Sequence, residues 1–333
     1  MEDNQAACYE APIIQPGIDA PADNNTCYDK PDKKQKHPHY EHRTTKLMRK
    51  NNEFSEKKFQ NVRKISSQKK ILKSFERIGR CLNHVSRNEM PKEGYDKVCL
   101  ILMNNYEHDK HDPQVGVMND GYLFGLYHHR LGFKVFYLYN CVQGNYPKYL
   151  QFFLIHTREN LTVFYSGRDS INMGCHGIEF KDKTVTSNQF GRLIARDNNG
   201  LCKVVFVSDC IAGGSVFDIS MVNKVEKPNP SGMVSFSVDK LADPNSKDGR
   251  RSHGIFTYYF CKFIYECPNI TPQRLVERMN ASLKRFNMTF SCESTSQSVA
   301  DEPMYKPSEH SSGKVPFDEF INDGDSNDSN QEE

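Results

Sequence analysis

Five short, largely apolar runs, with helical stretches between most of them, constrain the fold of this chain more than any other feature. The runs are 98–103 (VCLILM), 135–139 (VFYLY), 161–165 (LTVFY), 204–207 (VVFV) and 233–238 (MVSFSV). Runs this short and this rich in apolar residues mark strands buried on both faces, as in a parallel sheet covered by helices. Asn119-Asp120 offers a cap for a helix running to Leu131, with Gly132 as its stop. Pro147 sits in the first turn of a helix through Ile155, and Thr271-Pro272 opens another that continues to about Phe286. Helical spacing around 190–194 and over 254–264, an alternating hairpin over 177–185 and a sixth strand from Met288 to Ser291 complete the pattern. The alternation predicts an α/β fold, a mostly parallel sheet of about six strands with helices on both faces.

The 333 residues carry 44 Lys and Arg against 42 Asp and Glu, but the balance is uneven along the chain. Between Lys30 and Arg80 there are 17 basic and 5 acidic residues, a surplus of twelve; from Pro307 to Glu333 there are 1 and 8, a deficit of seven. Residues 1–93 therefore read as a basic, mostly disordered extension, 94–306 as one folded domain and 307–333 as an acidic disordered tail. Within the extension, Ile71, Leu72, Phe75, Ile78 and Leu82 fall at helical spacing, opposite Lys69, Lys70, Lys73 and Arg77. They predict one amphipathic helix near 66–85, packed on the domain or, as the rival reading, touching nucleic acid or an anionic membrane. The tract KKQKHPHYEHR serves equally as a nuclear-import signal or a charged linker. No stretch approaches 18 apolar residues and the first residues lack a basic start and an apolar run, so neither a membrane span nor a secretory signal is expected. Eleven cysteines without a CxxC pair argue against a disulfide framework and a zinc site, and for a reducing compartment, cytoplasm or nucleus.

In an open α/β sheet, ligands bind outside the carboxyl ends of the strands. The loops at those ends read Asn104-Asn105-Tyr106, then Ser166-Gly167-Arg168-Asp169, then Ser208-Asp209-Cys210-Ile211-Ala212-Gly213-Gly214-Ser215. Together with 115–120 (VGVMND) and 253–258 (HGIFTY), these segments resemble the caspase-like cysteine peptidases, most closely the metacaspase-like branch of protists, over about residues 95–305. The resemblance implies the caspase-like three-layer sandwich. It also implies a general-base histidine after Tyr-Ser-Gly at the end of the third strand, and a nucleophilic cysteine two residues after the aspartate that ends the fourth.

Neither catalytic residue is present at its matched position. Arg168 stands where the histidine belongs and Ile211 where the cysteine belongs. The mechanism needs a thiolate to attack the peptide carbonyl and an imidazole to move the proton. Arginine stays protonated and isoleucine has no lone pair. A one-residue shift would offer Cys210 as a fallback thiol, at the expense of Asp209, Gly214 and the 215–218 segment, which agree without a gap. Cys210 otherwise reads as a small core filler, and Cys175-His176 as a surface-loop coincidence.

By the same resemblance, Asp120 and Asp209 match the acidic pocket for a Lys or Arg side chain of the substrate. The competing reading has Asp120 capping its helix and one of the acids pairing with Arg168; an Arg168 reaching Asp209 would plug the pocket. The stretch 169–183 holds only Asp169, Glu179 and Asp182, too few for a calcium site, and the chain contains neither a Walker A nor a dinucleotide-binding glycine motif. No metal and no cofactor is expected.

Three functions follow. The first is an inactive peptidase homologue that binds proteins or peptides, with basic side chains as the preferred feature. The second is an active cysteine endopeptidase cutting after Arg or Lys, with Cys210 as nucleophile and His176 as base. The third is a tether to nucleic acid or an anionic membrane through residues 30–80. The sequence leaves the oligomeric state open, since an edge strand from Met288 can be paired or covered.

Overall fold

A computed structural model of the chain describes residues 68–91, 94–106, 116–172, 175–210, 216–220, 222, 232–240 and 254–305. The stretch 30–67, the tail 307–333, Ile211 and His253 lie outside the described residues. Helix α1 (Gln68–Glu76) turns Ile71 and Phe75 inward and leads to strand β1 (Gly79–Cys81). The helix is thus nine residues long rather than spanning 66–85. Ile78 and Leu82 are buried as expected, but in the turn before β1 and just after it, because Gly79–Cys81 pairs in parallel with Val135–Tyr137. The sheet accordingly begins within the stretch assigned from sequence to the N-terminal extension.

Next come β2 (Tyr95–Met103), α2 (Gly116–Arg130), β3 (Lys134–Tyr139), α3 (Asn145–His156) and β4 (Thr157–Ser166). Three short strands, β5 (Asp169–Asn172), β6 (Cys175–Glu179) and β7 (Thr184–Thr186), form a small separate sheet where a single hairpin was expected. Helix α4 (Ser187–Asp197) starts from a capping box, Thr186 accepting from the Gln189 amide and the Gln189 side chain from the Thr186 amide. The chain continues through β8 (Lys203–Asp209), β9 (Met233–Lys240), α5 (Ile255–Glu266), α6 (Pro272–Leu283), β10 (Met288–Ser294) and α7 (Gln297–Asp301). Thr271 caps α6 and Pro272 opens it, as the dipeptide predicts.

The main sheet has seven strands in the order β1-β3-β2-β4-β8-β9-β10, all pairs parallel except β9 with β10. Alternate residues of the central strands enter two separate cores. Ile101, Phe164 and Val207 face α1, α2, α5 and α6; Leu100, Val163 and Phe206 face α3 and α4. This is an α/β sandwich with helices on both faces, as predicted. Gly121 lets α2 lie close on β2, since any side chain there would overlap Met103.

The segment after α7 is tied back to the first face. Lys203, buried at the start of β8, donates to the Pro303 carbonyl at 2.7 Å. His128 on α2 donates from Nδ1 to the Phe124 carbonyl and accepts at Nε2 from the Tyr305 hydroxyl, both at 2.8 Å. Burial lowers the imidazole to about 4. The folded protein therefore refuses a proton that the unfolded chain takes up below about pH 6.5, so this stabilisation is present above that pH and is lost as pH falls toward 4. Wild type is expected to lose about 2 kcal/mol more than His128→Gln between pH 7 and pH 4.5, read from urea midpoints. Identical pH dependence of the two proteins would refute the buried neutral state.

Candidate functional site

Chain reversal places the crevice. From β2 the chain steps to β3 on one side, then crosses to β4 on the other, which opens a switch point at the carboxyl ends of β2 and β4. Met103, Ser166 and Asp209 are in register across β2, β4 and β8, so the three loops leave the sheet level with one another.

The loop after β2 is built from side chains bonding main chain. The Asn105 amide N–H donates to Asn140 Oδ1 at 2.9 Å and Asn140 Nδ2 returns a bond to Asn105 Oδ1 at 2.6 Å, joining this loop to the one after β3. Tyr106 takes a left-handed backbone conformation, φ 53°, strained for a residue with a ring. Its hydroxyl accounts for that conformation: it accepts from the Arg168 amide N–H and donates to the Glu179 carbonyl, each at 2.9 Å. Burial pushes the phenol up to about 12, so it stays protonated and able to do both at neutral pH. Tyr165 lies beside it, the two phenol oxygens 3.2 Å apart, and donates to the Arg168 carbonyl. Gly167 is required here, because a Cβ would come within 2.6 Å of the Tyr165 hydroxyl oxygen.

Arg168 is thus gripped by its main chain from both sides, and its guanidinium lies 4.5 Å from the centre of the Tyr106 ring. Asp209 ends β8 with 0% exposure and accepts from Thr257 Oγ1 on α5 at 2.8 Å. Asp120 is 3% exposed. It does not cap α2: the helix begins at Gly116, which puts Asp120 in the second turn, facing inward. Its carboxylate adds to the burial that pushes the Cys261 thiol well up, and Cys261 lies one turn beyond Thr257 on α5. Asp209 thus bonds α5 directly, and Asp120 is buried on α2, the helix packed against α5.

Cys210, the fallback thiol, is 1% exposed and belongs to the α3–α4 core. Reactive thiols need an accessible setting, and this one is closed. Ile211 and residues 212–215 and 107–115 lie outside the described residues. His176 pairs through Nδ1 with Asp169 Oδ2 at 3.4 Å, and that bond raises the imidazole above its ordinary value. The pairing is diagonal across the β5–β6 hairpin, where Ile171 faces His176 and Asp169 faces Ile178. The alternation seen in the sequence covers 177–185, the β6–β7 hairpin, and did not point to this pair. Nothing local signalled the roles of Tyr106, Tyr165 or Thr257.

Among the described residues, no group of three or more His, Cys, Asp or Glu side chains is placed to hold a metal ion. No described helix is long and apolar enough to cross a membrane. No family model and no curated protein matches the chain. Among solved structures it is similar to protein GSU0716 from Geobacter sulfurreducens, at 12% identity and a TM-score of 0.43 over 62% of this chain and 96% of that one. It is also similar to the Drosophila initiator caspase Dronc, at 11% identity and a TM-score of 0.42 over 64% and 93%. The class is defined by strand order and register: an α/β sandwich with a mostly parallel seven-stranded sheet.

Proposed function

We propose that this chain is a catalytically inactive, caspase-like peptidase homologue that binds a protein or peptide ligand. The observation that carries the reading is Arg168. At the carboxyl end of β4, where the resemblance requires an imidazole, a permanently charged guanidinium lies over Tyr106 with its main chain locked by two phenols. The second loss, Ile211 for the nucleophile, rests on the sequence match alone. Turnover of Arg- and Lys-terminated peptides tests the inactive half of the proposal.

Asp120 and Asp209 are the groups that would receive a basic side chain of the ligand, in a site walled by α5. Charge-assisted hydrogen bonds to a guanidinium are the strong kind, so neutralising one acid should be visible. In anisotropy titrations of a labelled Arg-terminated peptide, Asp120→Asn is expected to weaken binding about tenfold, as for the loss of one hydrogen bond to a charged group. Equal affinity of wild type and variant would remove Asp120 from the site.

One observation favours the endopeptidase reading, namely the Asp169–His176 pair, which has the form of an oriented base. Its proposed partner Cys210 is shut away from solvent, which is why it ranks second. The tethering reading rests on residues 30–80, of which only 68–80 are described, and no feature of the described part adds to it.

A further inference from the structure

We propose that residues 315–321 of this same chain dock into a groove at the amino ends of β1, β2 and β3, at the opposite end of the sheet from the site above. The groove, about 510 Å³, is lined among others by Ile78, Arg80, Tyr95, His129, Phe133 and Lys134. Its floor is aromatic and apolar. Arg80, His129 and Lys134 are exposed, and no carboxylate lines it. The Lys134 and Lys97 ammonium groups lie 5.2 Å and 6.0 Å from the ring centres of Tyr95 and Phe133. Such a surface takes a ligand that joins aromatic or aliphatic side chains to carboxylates.

Two observations choose the occupant. The described chain ends at Tyr305, whose ring centre is 5.1 Å from that of the groove residue Phe133, so the tail is attached close to the groove. The only apolar cluster after that point is 315–321, Val-Pro-Phe-Asp-Glu-Phe-Ile; from Asn322 to Glu333 there is no apolar side chain. Ten residues of extended chain span up to roughly 33 Å, ample for Val315 to reach the groove from Tyr305. Tethering also holds the segment at an effective concentration on the order of millimolar. The competing partner for these acids is the basic stretch 30–64, which offers charge but few apolar side chains.

The test joins ammonium to carboxylate directly. Full-length protein at low concentration is treated with a water-soluble carbodiimide, and crosslinked peptides are mapped by mass spectrometry. The expected product links Asp318 or Glu319 to Lys134. Its yield should fall about tenfold in the double variant Phe317→Ser and Phe320→Ser, which keeps every lysine and carboxylate but loses two buried rings. Absence of the Lys134 link, equal yield in the variant, or links confined to lysines of residues 30–73, Lys262 or Lys284 would each overturn the proposal. So would links found only between isotope-labelled and unlabelled copies in a mixture, which would make a second copy the occupant.

Discussion

Fluorogenic peptides ending in Arg or Lys are expected to remain intact in the presence of the wild-type protein, with or without calcium. Removing the nucleophile alone from a triad protease lowers kcat by about 10⁶-fold, and on the proposed reading the histidine is absent as well. The fallback thiol at the end of β8, Cys210, is 1% exposed. Installing the pair, Ile211→Cys with Arg168→His, should raise turnover above the wild-type background, because the grip on position 168 is made by main-chain atoms and survives the substitution. Wild-type turnover that disappears in Cys210→Ala would instead establish the endopeptidase, with the Asp169–His176 pair as the base to examine next. Wild-type silence together with a silent double variant would leave the inactive reading standing and remove the claim that the substrate site persists.

Phe124→Ala should cost about 3–5 kcal/mol, the range for emptying a buried aromatic site. Its ring centre is 4.1 Å from Phe164 on β4, 4.1 Å from His128 and 5.7 Å from Phe260 on α5, all fully enclosed. One ring thus joins α2 to the central sheet and to the helix that holds Asp209. The loss should appear as a shifted urea midpoint with an unchanged slope, and Phe124→Leu, which fills most of the volume, should recover more than half of it. A loss under about 1 kcal/mol for the alanine variant would mean that the stack can collapse, and that α2 is held elsewhere.

The central strands were legible because burial on both faces writes itself as a short, mostly apolar run. β1 was not, because Gly-Arg-Cys has no such run and is held in the sheet through its main chain against β3. Its flanking Ile78 and Leu82 kept a helical spacing by coincidence of burial, which lengthened the expected helix. Asn119-Asp120 misled for a related reason: the dipeptide is a good local cap, but the position faces inward and tertiary burial decided the matter. At the site, the loops that carry Arg168, Asp209 and Cys210 were found from the order of strand ends. What holds Arg168 was invisible, since Tyr106 lies 62 residues from it and 73 from Glu179, and phenol-to-main-chain bonds leave no periodic trace.

The hydrogen bond from Tyr305 to His128 spans 177 positions. During synthesis, α2 and the strands around it leave the ribosome long before the residue that completes their core. At ~5–20 residues per second the nascent protein spends roughly ten seconds or more with that imidazole uncovered. The first half of this chain therefore waits, partly assembled, for the segment after α7, and a chaperone that binds exposed aromatic surface would find it in that interval.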